Sequence, residues 1–343
     1  MDSKTAIWVE MYRPLGISNI IQSDIKQLIS HKNNLSNLPH LLFYGHSGTG
    51  KTTTALAICK HIFTSSPLNT HLYKQIIKER ILELNASDER GIKVVRDKIK
   101  TFAAQALNTY TDIPFFKIII LDEADVMTND SQFALRRIIE QYSHITRFIL
   151  ICNYVTKIIP PLASRCSRYK FDTIQLSKLK IIIENIFINE KVNYNQSILD
   201  QVNQHIFNIS KGDLRKTITM LQRAVYIANL NKVDLNIDII NEISGIIPKI
   251  YIDNLYTILY SKIDTYKEIT KNLTSILNNG YSATIIINEL SLRILNDPNI
   301  TDNNKSLIFI KMSNISNLLS NGSGDYIQLL VLCSYINYTL NTN

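Results

Sequence analysis

Gly45-His46-Ser47-Gly48-Thr49-Gly50-Lys51-Thr52 satisfies G-x-x-x-x-G-K-[ST], and it lies between an apolar run at 40–44 and an amphipathic stretch at 52–63. That placement is what phosphate binding needs. The glycines let backbone N–H groups face inward around a β-phosphate, and the helix that opens at residue 52 adds its dipole. Lys51 would neutralise β and γ oxygens, and Thr52 would coordinate Mg²⁺. Thr53, next in the same turn, joins the candidate nucleotide contacts.

A second group follows the apolar run 116–121, which ends in Asp122-Glu123-Ala124-Asp125. A carboxylate at the end of a neighbouring strand can hold Mg²⁺, the role expected of Asp122. Glu123 could then polarise the attacking water as a general base, and Asp125 would fix the turn. An isolated Asp-Glu pair is more often an inert, solvated turn. Beside a phosphate loop it predicts binding and hydrolysis of a nucleoside triphosphate with Mg²⁺. A P-loop kinase and a DNA motor share these parts.

The surrounding elements must hold them. From 39 to 174 short apolar runs alternate with amphipathic stretches, as in βαβ units. Strands are expected at 40–44, 81–84, 116–121, 147–152 and 169–171, with helices at 52–63, 91–107 and 131–142. The run at 116–121 is the most continuously apolar, hence a central strand covered on both faces. This pattern is a doubly wound parallel α/β sheet. After about 174 strand signals stop. Helices are expected at 178–189, 196–206 and 214–228, with Gly212-Asp213 capping the last, and the remainder to 343 reads as helical. The expected layout is an ATPase domain over 1–173, a small helical domain over 174–235 and a larger one over 236–343.

Composition narrows the class. Of 343 residues, 45% are hydrophobic and 19% charged, so a sizeable core is affordable and wholesale disorder is excluded. The net charge of +8 favours a polyanionic partner. No apolar run approaches a membrane span, and the N-terminus shows no secretory pattern. Cys59, Cys152, Cys166 and Cys333 are scattered without metal-ligand spacing, which points to a reducing compartment rather than disulfides or zinc.

Further motifs occur in a fixed order: Trp8-Val9-Glu10-Met11-Tyr12-Arg13-Pro14, Leu84-Asn85-Ala86-Ser87-Asp88-Glu89-Arg90-Gly91, the Asp-Glu-Ala-Asp stretch at 122–125, Ser164-Arg165-Cys166 and Gly212-Asp213-Leu214-Arg215-Lys216. In this set the sequence resembles the small subunits of replication factor C, the sliding-clamp loader of the AAA+ ATPases. The resemblance covers about residues 5 to 230, and the tail matches only in length and helical character.

The resemblance implies an AAA+ core, a helical lid and an all-α collar that assembles subunits into a hetero-pentameric ring. It implies that Tyr12, Arg13 and Pro14 line the adenine side of the pocket. Asn153 would be the polar sensor that orients water or reads the γ-phosphate. Arg165 would be an arginine finger acting in trans on the neighbouring subunit's site. Arg215 would touch the phosphates of this subunit's own nucleotide. It follows a helix start, where a cation is disfavoured unless an anion lies close. The family usually carries two prolines where this chain has His46-Ser47. Those positions present backbone to phosphate, so binding should survive in a less rigid loop.

Partners follow from the same resemblance: the other loader subunits, a PCNA-like sliding clamp and primer–template DNA, with no membrane. Lys93, Arg96 and Lys100 recur at helical spacing, with Arg90 at the helix start and Lys157 in a second inward-facing loop. These residues would track DNA phosphates without reading sequence. Arg136 and Arg137 stand as candidates for bridging subunits, and the clamp contact would fall near 102–116. The nucleus is the expected location, with a cytoplasmic or viral replication site as alternatives. The rival functions are another AAA+ DNA motor, such as a branch-migration helicase, and a non-hydrolysing structural subunit of the ring. Against them stand the Ser-Arg-Cys motif and the intact Lys51, Thr52, Asp122 and Glu123.

Overall fold

Ile118 and Ile120 point to one face of their strand, Ile119 and Leu121 to the other, and all four are fully buried. A strand apolar on both faces must be covered on both faces. The computed structural model shows how. It describes residues 7–14, 16, 25, 38–63, 70–86, 92–108, 114–190, 192, 196–261 and 265–341, with backbone alone at 70–74, 92–96, 196–198 and 265. The chain divides into two units, Met1–Leu235 and Asn236–Asn343.

In chain order the first unit contains α1 (Trp8–Met11), β1 (His40–Gly45), α2 (Lys51–Phe63), α3 (Thr70–Arg80), β2 (Ile81–Asn85), α4 (Ile92–Ala104) and β3 (Lys117–Asp122). Then come α5 (Asn129–Tyr142), β4 (Thr146–Cys152), α6 (Pro160–Ala163), β5 (Cys166–Phe171), α7 (Leu176–Asn189), α8 (Gln196–Ser210) and α9 (Leu214–Asn231). The five strands are all parallel, in the order β2-β3-β4-β1-β5. One face packs Leu41, Phe43, Ile118, Ile120, Ile149 and Ile151 with Ile58 and Ile62 of α2 and Ile76 of α3. The other packs Leu42, Ile119, Leu121, Phe148 and Leu150 with Ile99 of α4 and Leu135 and Ile139 of α5. Burying each such side chain stabilises the fold by about 1.5–3 kcal/mol.

Two differences from the sequence reading have physical reasons. Helix α3 was not anticipated, because its polar, Lys-rich sequence buries Ile76 but leaves most of its visible face exposed or half-buried. Strand β5 starts at Cys166 rather than 169. Its alternation of buried ends with polar residues marks an edge strand, where only one side is paired.

Two cations are buried beside this sheet against backbone carbonyls. Lys117 Nζ donates to the carbonyls of Phe102 and Gln105 at the end of α4, both at 2.6 Å, and lies over the Phe102 ring. Arg80 donates to the carbonyls of Phe116 and Asn108. A cation at a helix C-terminus meets the negative end of its dipole, which offsets part of the desolvation. Burial, with Arg80 nearby, still lowers the Lys117 pKa.

His40 Nδ1 accepts the Phe148 backbone N–H at 3.1 Å, so it must be unprotonated. Burial, helped by Arg147, drops its pKa from 6.5 to about 4. Between those values the unfolded chain binds a proton that the folded chain does not, so stability falls as pH drops through this window. The expected loss, discounted for partial exposure, is about 2 kcal/mol. Urea unfolding at pH 7 and pH 4.5 should show it, and His40→Asn, which keeps the acceptor but cannot titrate, should flatten it.

Helices α7–α9 form a small bundle around Leu179, Ile183, Phe187, Val202, Ile206 and Leu221. Asp213 caps α9 by accepting the Lys216 N–H at 3.0 Å. Helix α1 rests on α9, where the Trp8 N–H donates to Gln222 at 3.1 Å.

The second unit is helical: α10 (Ile237–Ser244), α11 (Lys249–Tyr260), α12 (Thr265–Asn278), α13 (Ala283–Leu295), α14 (Asp302–Ser320) and α15 (Asp325–Asn341). Its core includes Leu255, Leu259, Leu273, Ile286, Leu290, Ile308, Leu332 and Ile336. Asp297 accepts from the hydroxyls of Tyr256 and Tyr260 at 2.5 and 2.6 Å, tying the turn after α13 to α11. All four cysteines are buried and unpaired, and burial pushes the thiols of Cys152 and Cys333 up to about 12 and that of Cys166 to about 11. They are poor nucleophiles and metal ligands in this state. No helix among the described residues is long and apolar enough to cross a membrane.

Candidate nucleotide-binding site

Strand order brings the chemistry together. β3, β4 and β1 are consecutive in the sheet and parallel, so their C-terminal ends share one edge. That edge carries Asp122 and Glu123 after β3, Asn153 after β4 and the glycine loop after β1. Chain direction across the sheet also switches beside β1, since the chain leaves it for distant β2 and returns to its other side with β5. Ligands of open α/β sheets bind at such points.

The cleft there is lined by Tyr12, Arg13 and Pro14, by Ser47, Gly48 and Gly50 through Thr53, by Asp122, Glu123 and Asn153, and by Arg215. These are candidates from five separate stretches of sequence, and the fold places them in one cavity of about 210 Å³. Val9, Glu10, Leu214 and Ile218 complete the lining and were not anticipated. Gly45, His46 and Thr49 belong to the loop itself. Gly45 has φ +147, and a Cβ there would come within 2.2 Å of the Phe171 carbonyl oxygen, so β1 ends against β5 only with glycine.

Lys51 is nearly buried and points back into the loop. Its Nζ donates to the Gly45 and His46 carbonyls at 2.8 and 2.7 Å and to Asn153 Oδ1 at 3.1 Å. Burial lowers its pKa, while Asp122 is the largest opposing influence. The ammonium is therefore held by neutral acceptors that an incoming phosphate can displace. Thr49 Oγ1 donates to the His46 carbonyl, so residue 46 serves the loop through its backbone and its side chain stays exposed.

Thr52 Oγ1 donates to Asp122 Oδ2 at 2.6 Å. The other carboxylate oxygen accepts the Glu123 N–H at 2.9 Å. Glu123 itself lies in the left-handed region, φ 55 and ψ 37, an uncommon conformation for a residue with a side chain. Asp125 accepts the N–H groups of Asn153 and Tyr154 at 3.2 and 3.1 Å, stitching the loop after β3 to the loop after β4.

The helical bundle closes the cleft from the other side. Ser47 Oγ donates to Asp213 Oδ2 at 3.0 Å, and the Leu214 N–H donates to the Gly48 carbonyl at 3.0 Å. Asp213 thus caps α9 with one oxygen and holds the loop with the other. Sequence reading found the cap but not the second bond, because only the fold brings residue 47 to 213. Gly48 has φ +66, and a Cβ there would sit 1.8 Å from Asp213 Oδ1. Gly48→Ala should therefore weaken ATP binding by about tenfold, the equivalent of 1–3 kcal/mol of strain. Titration with a fluorescent ATP analogue checks this, with Ser47→Ala, which loses one hydrogen bond, expected to shift much less.

On the side of the cleft formed by α1, Arg13 Nε donates to Thr53 Oγ1 at 3.2 Å and its Nη1 pairs with Glu10. The Tyr12 hydroxyl donates to Glu190 at the end of α7, and its ring packs edge-on against Trp8. Burial and the Glu190 carboxylate raise the phenol pKa, so it stays a donor.

The remaining candidates lie elsewhere. Arg165 is absent from the cleft lining and pairs on the surface with Glu140. Lys157 ends a 3-10 turn, Val155–Lys157, with Nζ 5.3 Å from the Tyr154 ring centroid, in a separate groove with Asp125, Thr128 and Pro160. Arg90 lies outside the described residues. Lys93 and Arg96 fall on α4 with only their backbone described.

Comparison with known proteins agrees with this geometry. Residues 41–173 match the profile of the ATPase family associated with various cellular activities (AAA), and residues 247–335 match the replication factor C C-terminal domain. In solved structures the fold is similar to the Thermotoga maritima RuvB Holliday junction branch migration motor, with a TM-score of 0.51, 19% identity and 72% of this chain and 79% of that one covered. At that identity the likeness is one of fold. The chain is 37% identical to human replication factor C subunit 4, covering 99% of this chain and 90% of that one. It is 40% identical to Schizosaccharomyces pombe replication factor C subunit 2, over 97% of this chain and 94% of the relative. With identity of that order along nearly its whole length and an AAA nucleotide cleft assembled at the sheet edge, the chain belongs to the replication factor C small-subunit family of AAA ATPases.

Proposed function

We propose that the chain is an ATPase subunit of a DNA sliding-clamp loader, which opens a PCNA-like clamp and places it on primer–template DNA. The observation that carries this is the complete set of nucleotide-handling groups in one cleft, Lys51, Thr52, Asp122, Glu123 and Asn153, in a chain whose tail matches the replication factor C C-terminal domain. The tail match favours a loader over the branch-migration motor that shares its fold.

In this reading Lys51 exchanges its loop carbonyls for β and γ oxygens of ATP. Thr52 and Asp122 hold Mg²⁺, since their hydroxyl and carboxylate oxygens already meet at 2.6 Å and hard oxygen donors are what that ion takes. When bound, the ion would offset charge on the phosphates. Glu123 accepts a proton from the attacking water, and Asn153 orients the γ-phosphate or that water. Arg215, at the mouth of the cleft beside the Asp213 joint, reports nucleotide by drawing the helical lid onto the loop. Arg165 serves the adjacent subunit's site in trans.

The domains read as an ATPase core over 1–173, a lid over 174–235 and a collar over 236–343. Exposed apolar side chains on α14 and α15, among them Ile310, Ile327, Val331 and Tyr338, support a collar that packs on other subunits of a hetero-pentamer. Arg90, Lys93, Arg96 and Lys157 follow DNA phosphates, and the location is the nucleus.

The test is the ATPase rate of the assembled complex with and without clamp plus primer–template DNA. Stimulation of about tenfold or more by both together is expected. No stimulation would direct the ATPase to another task.

A further inference from the structure

Arg165 does not hang free. Its Nη2 pairs with Glu140 Oε1, and its Nη1 donates to the Pro161 carbonyl. The same Oε1 takes Arg136 Nε at 3.0 Å, one helical turn back on α5. One carboxylate oxygen therefore serves two guanidinium groups, and the trio carries two positive charges against one negative.

This arrangement orients without neutralising. A guanidinium has five N–H donors in a rigid fork, and the named bonds use one on each terminal nitrogen. Arg165 remains 33% exposed and Glu140 40%. The side chain stays partly open to solvent, and the surplus charge of the trio suits an approaching polyanion. Arg136 first, then Arg165, holds the Glu140 carboxyl below its ordinary range, so the bridge persists at neutral pH. Without Glu140 the two guanidinium groups lose the anion between them, and Arg165 keeps only its bond to the Pro161 carbonyl.

We propose that Glu140 is a positioning residue for the arginine finger: it holds Arg165 in the conformer that meets the neighbouring subunit's triphosphate. This rests on the reading of Arg165 as a trans finger. Orientation acts on the transition state, so kcat should change and KM for ATP should not.

The experiment is a double-mutant cycle on the assembled complex, following ATP hydrolysis with clamp and primer–template DNA present. Glu140→Ala should lower kcat about fivefold to twentyfold with KM for ATP unchanged, and Glu140→Gln, which keeps the acceptor but loses the charge, should fall between. In an Arg165→Ala background, Glu140→Ala should add nothing further. Melting of the isolated chain identifies any variant that merely unfolds. The inference is overturned if Arg165→Ala collapses the rate while Glu140→Ala does not, or if Glu140→Ala costs as much with Arg165 already gone. If Arg165→Ala itself has no effect, the finger reading fails, and the inference with it.

Discussion

Arg165→Ala is expected to slow stimulated ATP hydrolysis by the assembled complex about a thousandfold at the site it serves, with ATP affinity almost unchanged. The position of Arg165 carries that expectation. It lies outside its own chain's cleft, on the surface after α6, held by Glu140 and the Pro161 carbonyl. A guanidinium there does not line its own subunit's cleft. Hydrolysis leaves negative charge on the transferred phosphoryl oxygens, and a cation meeting it in the transition state lowers the barrier without tightening ground-state binding. The isolated chain, lacking a neighbour, should hydrolyse ATP slowly whether or not Arg165 is present. Mixing wild-type and Arg165→Ala chains checks the trans assignment. A loss of rate in the isolated chain comparable to that in the complex would place Arg165 in its own site.

The second large effect belongs to Glu123. Glu123→Gln should reduce kcat by about a hundredfold to a thousandfold, within the span general-base catalysis supplies, while ATP still binds. The substitution preserves the site's architecture. The bond from the residue 123 N–H to Asp122 Oδ1 is a backbone one, and glutamine has a side chain of the same shape at φ 55. Thr52 and Asp122 are untouched, so the Mg²⁺ donors remain. Single-turnover chemistry should slow while equilibrium binding of an ATP analogue does not. In a loader, binding holds the clamp open and hydrolysis releases it, so this variant should accumulate as a loader–clamp–DNA complex. Equal loss of binding and turnover would mean that residue 123 holds the nucleotide instead of the water.

How much was legible in advance depended on whether the chemistry is local. The phosphate loop is a contiguous backbone device, so spacing alone identified Gly45 through Thr52. Asp122 and Glu123 were readable because a continuous apolar run announces a strand and its end. The parallel sheet followed from alternating runs, and its limits shifted by more than one residue only at the edge strand β5, where polar residues hide a strand. Helix α3 escaped because most of its visible face is not buried. Tyr12, Arg13, Asn153, Arg165 and Arg215 were nameable only through the family resemblance, since no periodicity distinguishes them from packing or surface residues.

The sequence by itself determined that this chain binds a nucleoside triphosphate on a parallel α/β sheet, because a glycine loop between strand and helix has few other uses. Tertiary structure alone decided which distant residues meet it. Strand order set Asn153 between the loop and Asp122, and the approach of the bundle put Asp213 on Ser47 and Gly48. The turn after α6 laid Arg165 on Glu140. Contacts between residues 25 to 166 positions apart depend on how elements pack, and packing is settled by the shape of the whole core rather than by any short stretch of chain.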